Sequence, residues 1–426
     1  MRNASQGMKE QASGSKILTM KAVIINVGSE LLKGIVPNFN LQELSKMLLI
    51  KGIMVEKNTV LPDTEEFIVR EIKDYLGKID FLIVTGGLGP SHDDVTKEAI
   101  AKALNINLTF SKSLYHSLKE KFKKYNIPET ESLKKYAIIP SDSEILDNPR
   151  GIAPGLKLSV QNTTILLLPG PPSEAKEILS GFLQKFVKKE LYWKYIRTFG
   201  LKENEILEKC EEELKSIESG LYPDIRGVDI LISSNSAEIL ELTSKSVIKK
   251  LGKNVYATEL KNIEEIIGDK LRSRKSTVAT AESCTGGLLG HLITNVPGSS
   301  DYYMGGVVTY SNEAKINILK VPETIIRKYG AVSRECAFYM ATNVKGLFKT
   351  LFGISITGIA GPTGGTPQKP VGLVYLGIST NKETYVFQRI FGGTRTEIKL
   401  KSALESLYLL NLILDGHTFP ENIFKI

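Results

Sequence analysis

The feature that most constrains this chain is a recurring unit: a short apolar run, a turn with glycine in it, and a helix carrying one apolar face. The first copy runs from Lys21 to Val27, through Gly28-Ser29-Glu30-Leu31-Leu32-Lys33-Gly34, and into Asn40 to Ile50, where Leu41, Leu44, Met47 and Leu48 share one helical face. Ile53 to Val60 reads as a second strand, Asp63 as the cap of a helix to about Leu76, and Asp80 to Val84 as a third strand. Strands that alternate with helices predict parallel neighbours, because a parallel pair needs a crossover and a helix supplies it. The expected fold class is therefore α/β, beginning with a doubly wound, mostly parallel sheet covered on both faces. Ligands of such sheets bind beyond the carboxyl ends of the strands, so the turns that follow strands are where chemistry is expected.

One such turn is Thr85-Gly86-Gly87-Leu88-Gly89-Pro90-Ser91-His92-Asp93-Asp94-Val95-Thr96, followed by a helix to Leu104. Gly86, Gly87 and Gly89 suit a loop whose backbone amides face a phosphate. Asp93 and Asp94 would repel that phosphate unless a divalent cation bridged them, and Mg²⁺ is commonly held by one or two carboxylates together with phosphate oxygens. The same residues also suit a tight turn with a capped helix. The loop matches neither G-x-x-x-x-G-K-[ST] nor G-x-G-x-x-G, which argues against a P-loop and a dinucleotide fingerprint. Further on, Asn148-Pro149-Arg150-Gly151-Ile152-Ala153-Pro154-Gly155 is a turn-rich loop, and Thr164 to Leu168 is a buried strand ending at Pro169-Gly170-Pro171-Pro172. The first domain closes near residue 185.

From Tyr192 to Leu260 the texture changes to a small α+β module: a charged helix from Lys202 to Ile217, strand-like runs at Asp229 to Ser233 and Ala237 to Leu242, a helix after Thr243, and a short strand near Val255. It has no metal motif and no G-x-x-G loop of the kind that clamps a nucleic-acid backbone. A helix from Lys261 to Arg274 leads into Thr280-Ala281-Glu282-Ser283-Cys284-Thr285-Gly286-Gly287, again a strand, a sharp turn and a helix. The first amides of a helix lack partners within it and point at whatever lies above the turn. Ser283 and Cys284 are two possible nucleophiles there, although Ser and Thr in such a turn also serve as plain caps. A strand from Gly305 to Tyr310 precedes Ser311-Asn312-Glu313-Ala314-Lys315. Tyr310 and Lys315 are thus set to approach the end of the strand that carries Ser283; the bland alternative is an exposed Lys and an interface Tyr. Ser333 caps a helix to about Phe348, and the strand Gly353 to Ile356 runs into a second Gly-rich loop, Thr357-Gly358-Ile359-Ala360-Gly361-Pro362-Thr363-Gly364-Gly365-Thr366. Strands at Val371 to Ile378 and Thr384 to Ile390 follow, and Gly392-Gly393-Thr394-Arg395 begins the last helix.

The 426 residues exceed what one core organises, so two or three domains are expected. The net charge of +8 is spread over helices without a long basic block, which suits small anionic substrates and gives no support to a nucleic-acid partner. Cys210, Cys284 and Cys336 lie too far apart for a disulfide framework or a C-x-x-C metal site and fit a reducing, cytoplasmic compartment. No run reaches the length of a membrane span; Leu407 to Leu414 is short and broken by Asn411. Residues 1–19 are polar and lack the apolar core of a secretory signal; they read as a disordered tail or as residues upstream of a start at Met20.

Taken together these motifs resemble the CinA family, the competence and damage-inducible proteins. The resemblance is carried in the first domain by Gly28-Ser29-Glu30-Leu31-Leu32, Thr85 to Pro90 with Asp93-Asp94-Val95-Thr96, Asn148 with Gly151 and Ala153-Pro154-Gly155, and Leu168-Pro169-Gly170. In the last domain it is carried by Thr280 to Gly287, Val308 to Asn312 with Ala314-Lys315, Gly330-Ala331-Val332-Ser333, and Ser355 to Thr366 with Lys369-Pro370-Val371-Gly372. It implies a molybdopterin-binding-like domain over 20–185, a KH-type linker domain over 186–262 and a nicotinamide mononucleotide (NMN) deamidase domain over 263–426. It further implies a homodimer, hydrolysis of NMN to nicotinic acid mononucleotide and ammonia without a cofactor, and metal-dependent hydrolysis of ADP-ribose by the first domain, in pyridine nucleotide recycling. Ser283 matches the family's nucleophile. Lys315 then serves as base if burial lowers its pKa, and Tyr310 as proton relay or oxyanion donor. Amides of Thr285 to Gly287 are candidates for the oxyanion hole, beside Glu282. Thr357, Gly358, Gly361, Gly364, Gly365, Thr366 and Arg395 are candidates for holding the substrate and its phosphate. In the first domain Glu30, Gly86, Gly87 and Gly89 would bind nucleotide and Asp93 and Asp94 the metal. Cys284 stays a rival nucleophile, though no His lies in the matching motifs to pair with it. Ser91-His92 stands where the family often has Thr after Gly-Pro.

Two other classes of function fit the same residues: a first domain that is a pterin-binding-like or structural module, with the chain acting in DNA uptake or repair, and an amidase for a different amide.

Overall fold

A computed structural model describes residues 20–128, 130–186 and 192–425, so the reading of 1–19 as a tail lies outside the described residues. The chain forms two compact units that divide after Tyr192.

The first unit is built on a six-stranded sheet in the order β2-β1-β3-β8-β7-β6. Its strands are β1 (Met20–Val27), β2 (Ile53–Leu61), β3 (Phe81–Thr85), β6 (Glu144–Leu146), β7 (Gly155–Val160) and β8 (Thr163–Leu168), while β4 (Leu108–Phe110) and β5 (Ile138–Pro140) pair separately. β2, β1, β3 and β8 run parallel, and β7 and β6 turn antiparallel at one edge. Successive residues of β1 feed opposite layers, as the period of a strand requires. Val23, Ile25 and Val27 pack with Ile68, Ile72, Ala99 and Ile100, whereas Ala22 and Ile24 pack with Leu44, Leu48, Ile178 and Leu179. Two-sided burial is why these strands read as continuous apolar runs. Asp63 does not cap the following helix, Glu65–Tyr75, whose N-cap Thr64 makes no side-chain bond. The Asp63 carboxylate instead accepts from the Ser29 amide at 2.8 Å, tying together the segments after β1 and β2.

The second unit holds a four-stranded sheet and a five-stranded one. The four-stranded sheet, ordered β10-β11-β9-β12, comprises β9 (Tyr192–Thr198), β10 (Glu218–Asp224), β11 (Gly227–Ser234) and β12 (Val255–Ala257). Ala237 to Leu242 is not a strand but the first part of a helix, Ala237–Leu251, with Ser236 Oγ accepting from the Ile239 amide at its start. A short apolar run does not reveal its period, and here Leu240 faces the core while Ile239 and Leu242 face solvent. The sequence reading also passed over β10, an edge strand that carries Pro223, where proline is tolerated.

The five-stranded sheet runs β14-β13-β15-β16-β17, with β13 (Val278–Glu282), β14 (Tyr303–Val308), β15 (Phe352–Gly358), β16 (Leu373–Ser379) and β17 (Thr384–Ile390). The first three are parallel and the last two antiparallel. β13 lies between β14 and β15 and is buried throughout; Ala279 and Ala281 meet the helix Arg334–Phe348 through Cys336, Met340 and Val344, while Val278 joins the core built by the helices Ile263–Ser273 and Arg395–Leu414. That core extends to Phe199 of the four-stranded module, whose ring stacks on Tyr408 at 4.5 Å. No helix of the described residues is long and apolar enough to cross a membrane.

Candidate active site

Register places the chemistry of the second unit. Glu282 pairs with Val308 on one side and Ile356 on the other, so β13 and β14 end level while β15 runs two residues further, and the next residues, Ser283, Thr309 and Thr357, stand side by side. The Ser283 amide donates to the Ile356 carbonyl at 2.9 Å and the Thr309 amide to the Glu282 carbonyl at 2.8 Å, which carries the alignment past the strand ends.

Lys315 reaches this row from the short helix Asn312–Asn317, which starts at Ser311 with its hydroxyl accepting from the Ala314 amide. Its side chain is buried, 1 % exposed, and Nζ has three oxygen neighbours: Ser283 Oγ at 2.9 Å, the Thr309 carbonyl at 2.7 Å and the Tyr310 carbonyl at 3.3 Å. Burial lowers its pKa below the ordinary 10.5, and among the described residues no carboxylate bonds it to hold the charge. As an ammonium, Nζ donates to all three oxygens. In its neutral form it would have two hydrogens and one lone pair; carbonyls can only accept, so the two hydrogens would go to Thr309 and Tyr310 and leave the lone pair for the Ser283 hydroxyl. Cys284, beside it, is 6 % exposed, and burial pushes its thiol up to about 11, which keeps it protonated near neutral pH.

A cavity of about 320 Å³ opens above Ser283 and Lys315. Tyr310, Thr357, Gly358, Gly361, Gly364 and Arg395 line it, as the sequence led one to expect; Cys284, Ala331, Val332 and Thr363 join them. Arg395 is tethered there, its Nη1 donating to the Gly361 carbonyl at 2.6 Å and Nη2 to the Tyr310 hydroxyl at 3.2 Å. Glu282, Thr285, Gly286, Gly287, Gly365 and Thr366 do not line the cavity. Glu282 is buried and turned toward the helix Leu288–Thr294, where its oxygens accept from the amides of Gly287, Leu289 and Gly290 at 3.0, 3.0 and 2.8 Å. The helix start is therefore already neutralised by the chain's own carboxylate, and the expectation that its free amides meet a ligand is corrected. The Gly286 amide is likewise spent on the Ser283 carbonyl at 3.1 Å, so of the three amides considered for an oxyanion hole Thr285's alone has no acceptor among the described residues. Gly365 rests on Val371, and Thr366 turns toward Lys369.

The first unit has its own cavity, about 560 Å³, also at the carboxyl ends of parallel strands. Gly86 and Gly87 take φ of +95° and +66°, and a Cβ on Gly86 would lie 2.1 Å from the Val27 carbonyl oxygen, so the loop after β3 passes the end of β1 as only glycine can. Glu30, Gly86, Gly87, Gly89, Asp93 and Asp94 all line this cavity, joined by Asp63, Tyr136 and Glu174, which sequence reasoning missed. Asn148 holds Glu174 by a 2.6 Å bond and folds its own loop by accepting from the amides of Arg150 and Gly151. Ser91, where the sequence departs from the family's Thr, donates its amide to Asp94 at 2.9 Å. Among the described residues no three His, Cys, Asp or Glu side chains cluster as a ready-made metal cage. Asp93 and Asp94 both line the cavity, and Asp94 already accepts from the Ser91 amide.

Both units match known protein families. Residues 260–414 match the family model "CinA C-terminal domain", and residues 23–189 match "Probable molybdopterin binding domain". A CinA-like protein of Thermotoga sp. (strain RQ2) is 38% identical over 403 residues, covering 93% of this chain and 98% of the relative. The chain belongs to the CinA family. A second CinA-like protein, from Kosmotoga olearia, is 39% identical over 401 residues, covering 91% of this chain and 97% of its own. Among solved structures, the competence/damage inducible protein CihA from Agrobacterium tumefaciens is 34% identical, with a TM-score of 0.35, over 37% of this CinA-family chain and 99% of that one. Both cavities of this CinA-family chain fall within residues matched by the two models: Val27 to Glu174 in the first and Ser283 to Arg395 in the second.

Proposed function

We propose that the C-terminal cavity deamidates NMN, giving nicotinic acid mononucleotide and ammonia, with Ser283 as nucleophile and Lys315 as its base. The observation that carries this reading is the buried Lys315 amine, which lies 2.9 Å from Ser283 Oγ and is held by the carbonyls of Thr309 and Tyr310, so that its neutral form would turn its lone pair to that hydroxyl. Oγ attacks the carboxamide carbon as its proton passes to Nζ, and the C=O pair moves onto oxygen. Collapse of that oxyanion breaks the C–N bond, and the proton on Nζ leaves with the nitrogen as ammonia. Water then attacks the ester, giving a proton to Nζ, and the tetrahedral centre expels Ser283 Oγ, which takes the proton back. The Tyr310 hydroxyl, which lines the cavity and accepts from Arg395, is a donor for the oxyanion, and Arg395 is a cation suited to the phosphate.

For the N-terminal cavity the reading is metal-dependent hydrolysis of the ADP-ribose pyrophosphate, supported by the carboxylates that line it beside glycine turns. Asp93 and Asp94 would hold the cation, which supplies charge neutralisation for the phosphates. By family resemblance the chain is taken to act as a cytoplasmic homodimer.

Ammonia release from NMN by the intact chain, beside Ser283→Ala and Cys284→Ala, tests the first reading. Wild type and Cys284→Ala should release ammonia and Ser283→Ala should not; a folded wild type that releases none overturns it. Nicotinamide riboside, lacking the phosphate, should be a far poorer substrate.

A further inference from the structure

Two stretches, Gly330-Ala331-Val332-Ser333 and Lys369-Pro370-Val371-Gly372, have no part in the chemistry above, yet in the fold they meet. Lys369 Nζ donates to the carbonyls of Tyr329 and Val332, both at 2.7 Å. Gly330 lies between those carbonyls at φ +80°, and a Cβ there would stand 3.0 Å from Nζ, so a side chain at 330 would press on the ammonium. Ala331 and Val332 form one wall of the cavity, and the Ala331 carbonyl accepts from the Thr357 hydroxyl at 2.7 Å.

The rest of the second stretch secures another wall, the Gly-rich loop. Thr366 and Lys369 close a turn through reciprocal backbone bonds of 2.8 and 3.1 Å, and Thr366 Oγ1 accepts from the Lys369 amide at 3.0 Å. Val371 packs under the loop: a Cβ on Gly361 would come within 2.5 Å of its Cγ1, and one on Gly365 within 2.9 Å of its amide. The Gly372 amide donates to the Ile359 carbonyl at 2.8 Å, and the Ile359 amide to the Leu373 carbonyl at 2.9 Å. Lys369 therefore leaves a segment fastened to one wall and ends on carbonyls of the other. Bonds from an ammonium are stronger than neutral ones, and only a long cationic side chain reaches both carbonyls at once.

We propose that Lys369 is a positioning residue that sets the separation of the two cavity walls, and that affinity for the substrate depends on it; the choice of NMN as that substrate rests on the deamidase reading. Lys369→Met keeps the length of the side chain and removes its donors. Its KM for NMN should rise about tenfold while kcat stays within about twofold of wild type, because the reacting pair is untouched. Backbone amides of 329–333 and 359–366 should exchange with deuterium faster, with the rest of the chain unchanged, and Lys369→Arg should recover part of the KM. Unchanged KM with unchanged exchange overturns the proposal. So does a raised KM without faster exchange, which would make Lys369 a direct ligand contact, or faster exchange throughout the chain, which would make it a general stabiliser. If wild type does not turn over NMN, the deamidase reading fails by itself, and the exchange comparison, which needs no substrate, still decides whether Lys369 fastens the walls.

Discussion

The two cavities are made by the same local recipe and carry opposite charge. Each lies at the carboxyl ends of parallel strands where a Gly-rich loop follows, but among the described residues the first is lined by Glu30, Asp63, Asp93, Asp94 and Glu174 with no Lys or Arg, and the second by Lys315 and Arg395 with no Asp or Glu. The one carboxylate at the second turn, Glu282, is aimed into the helix and away from the cavity. Backbone geometry alone therefore does not make an anion site. An acidic cavity can take a phosphate only with a cation between them, whereas a basic one takes it directly.

Removing the Lys315 amine should have the largest effect. Lys315→Ala should lower kcat for NMN roughly 1000-fold and leave ADP-ribose hydrolysis as in wild type, within the range typical of a lost general base. The pH dependence sharpens the point. The base works only when deprotonated, so kcat/KM should fall as pH drops through the Lys315 pKa, and this acid limb should lie below the ordinary lysine value of 10.5. The same group affects stability in a definite direction. Between its lowered pKa and 10.5 the unfolded chain binds the proton and the folded one does not, so stability contributed here rises with pH across that window and is lost as pH falls.

Next in size, Asp93→Asn with Asp94→Asn should lower ADP-ribose hydrolysis roughly 100-fold, as chelation by EDTA should, with NMN turnover unaffected by either. Loss of both activities on chelation would break the contrast between the cavities. Smallest is Glu282→Gln, which exchanges a carboxylate for an amide against three helix amides. A cost of about 1–2 kcal/mol in denaturant unfolding is expected, with the Ser283–Lys315 chemistry retained in the folded fraction.

Much of this was legible before any fold was seen, and the misreadings have physical causes. Strands with two-sided burial, such as Val278–Glu282, announce themselves as apolar runs, and Ser333 and Thr394 are recognisable caps that accept from the amides of Cys336 and Glu397. Ser283, Asp93 and Asp94 stand out in the sequence because each sits in a Gly-containing turn after a strand, and Lys315 and Arg395 because each lies at the start of a helix. Glu282 was misread as a ligand contact because its side-chain direction depends on the pleat of β13, and Ala237 to Leu242 was misread because six residues do not separate a strand from a helix. Asp63 was taken for a helix cap, Glu174 was passed over although it lies four residues beyond Leu168-Pro169-Gly170, and Tyr136 was missed because no motif lies near it in the chain.

By itself the sequence determined what is local: which runs become strands, where turns demand glycine, where helices start, and which side chains bear chemistry. Only the tertiary structure decided which of those side chains meet. Lys315 touches a serine 32 positions earlier, Arg395 a tyrosine 85 positions earlier, and Lys369 a carbonyl 40 positions earlier. These pairs follow from strand order and register, which are set by burying both faces of the sheet at once, and that is a property of the assembled layers that no single segment contains.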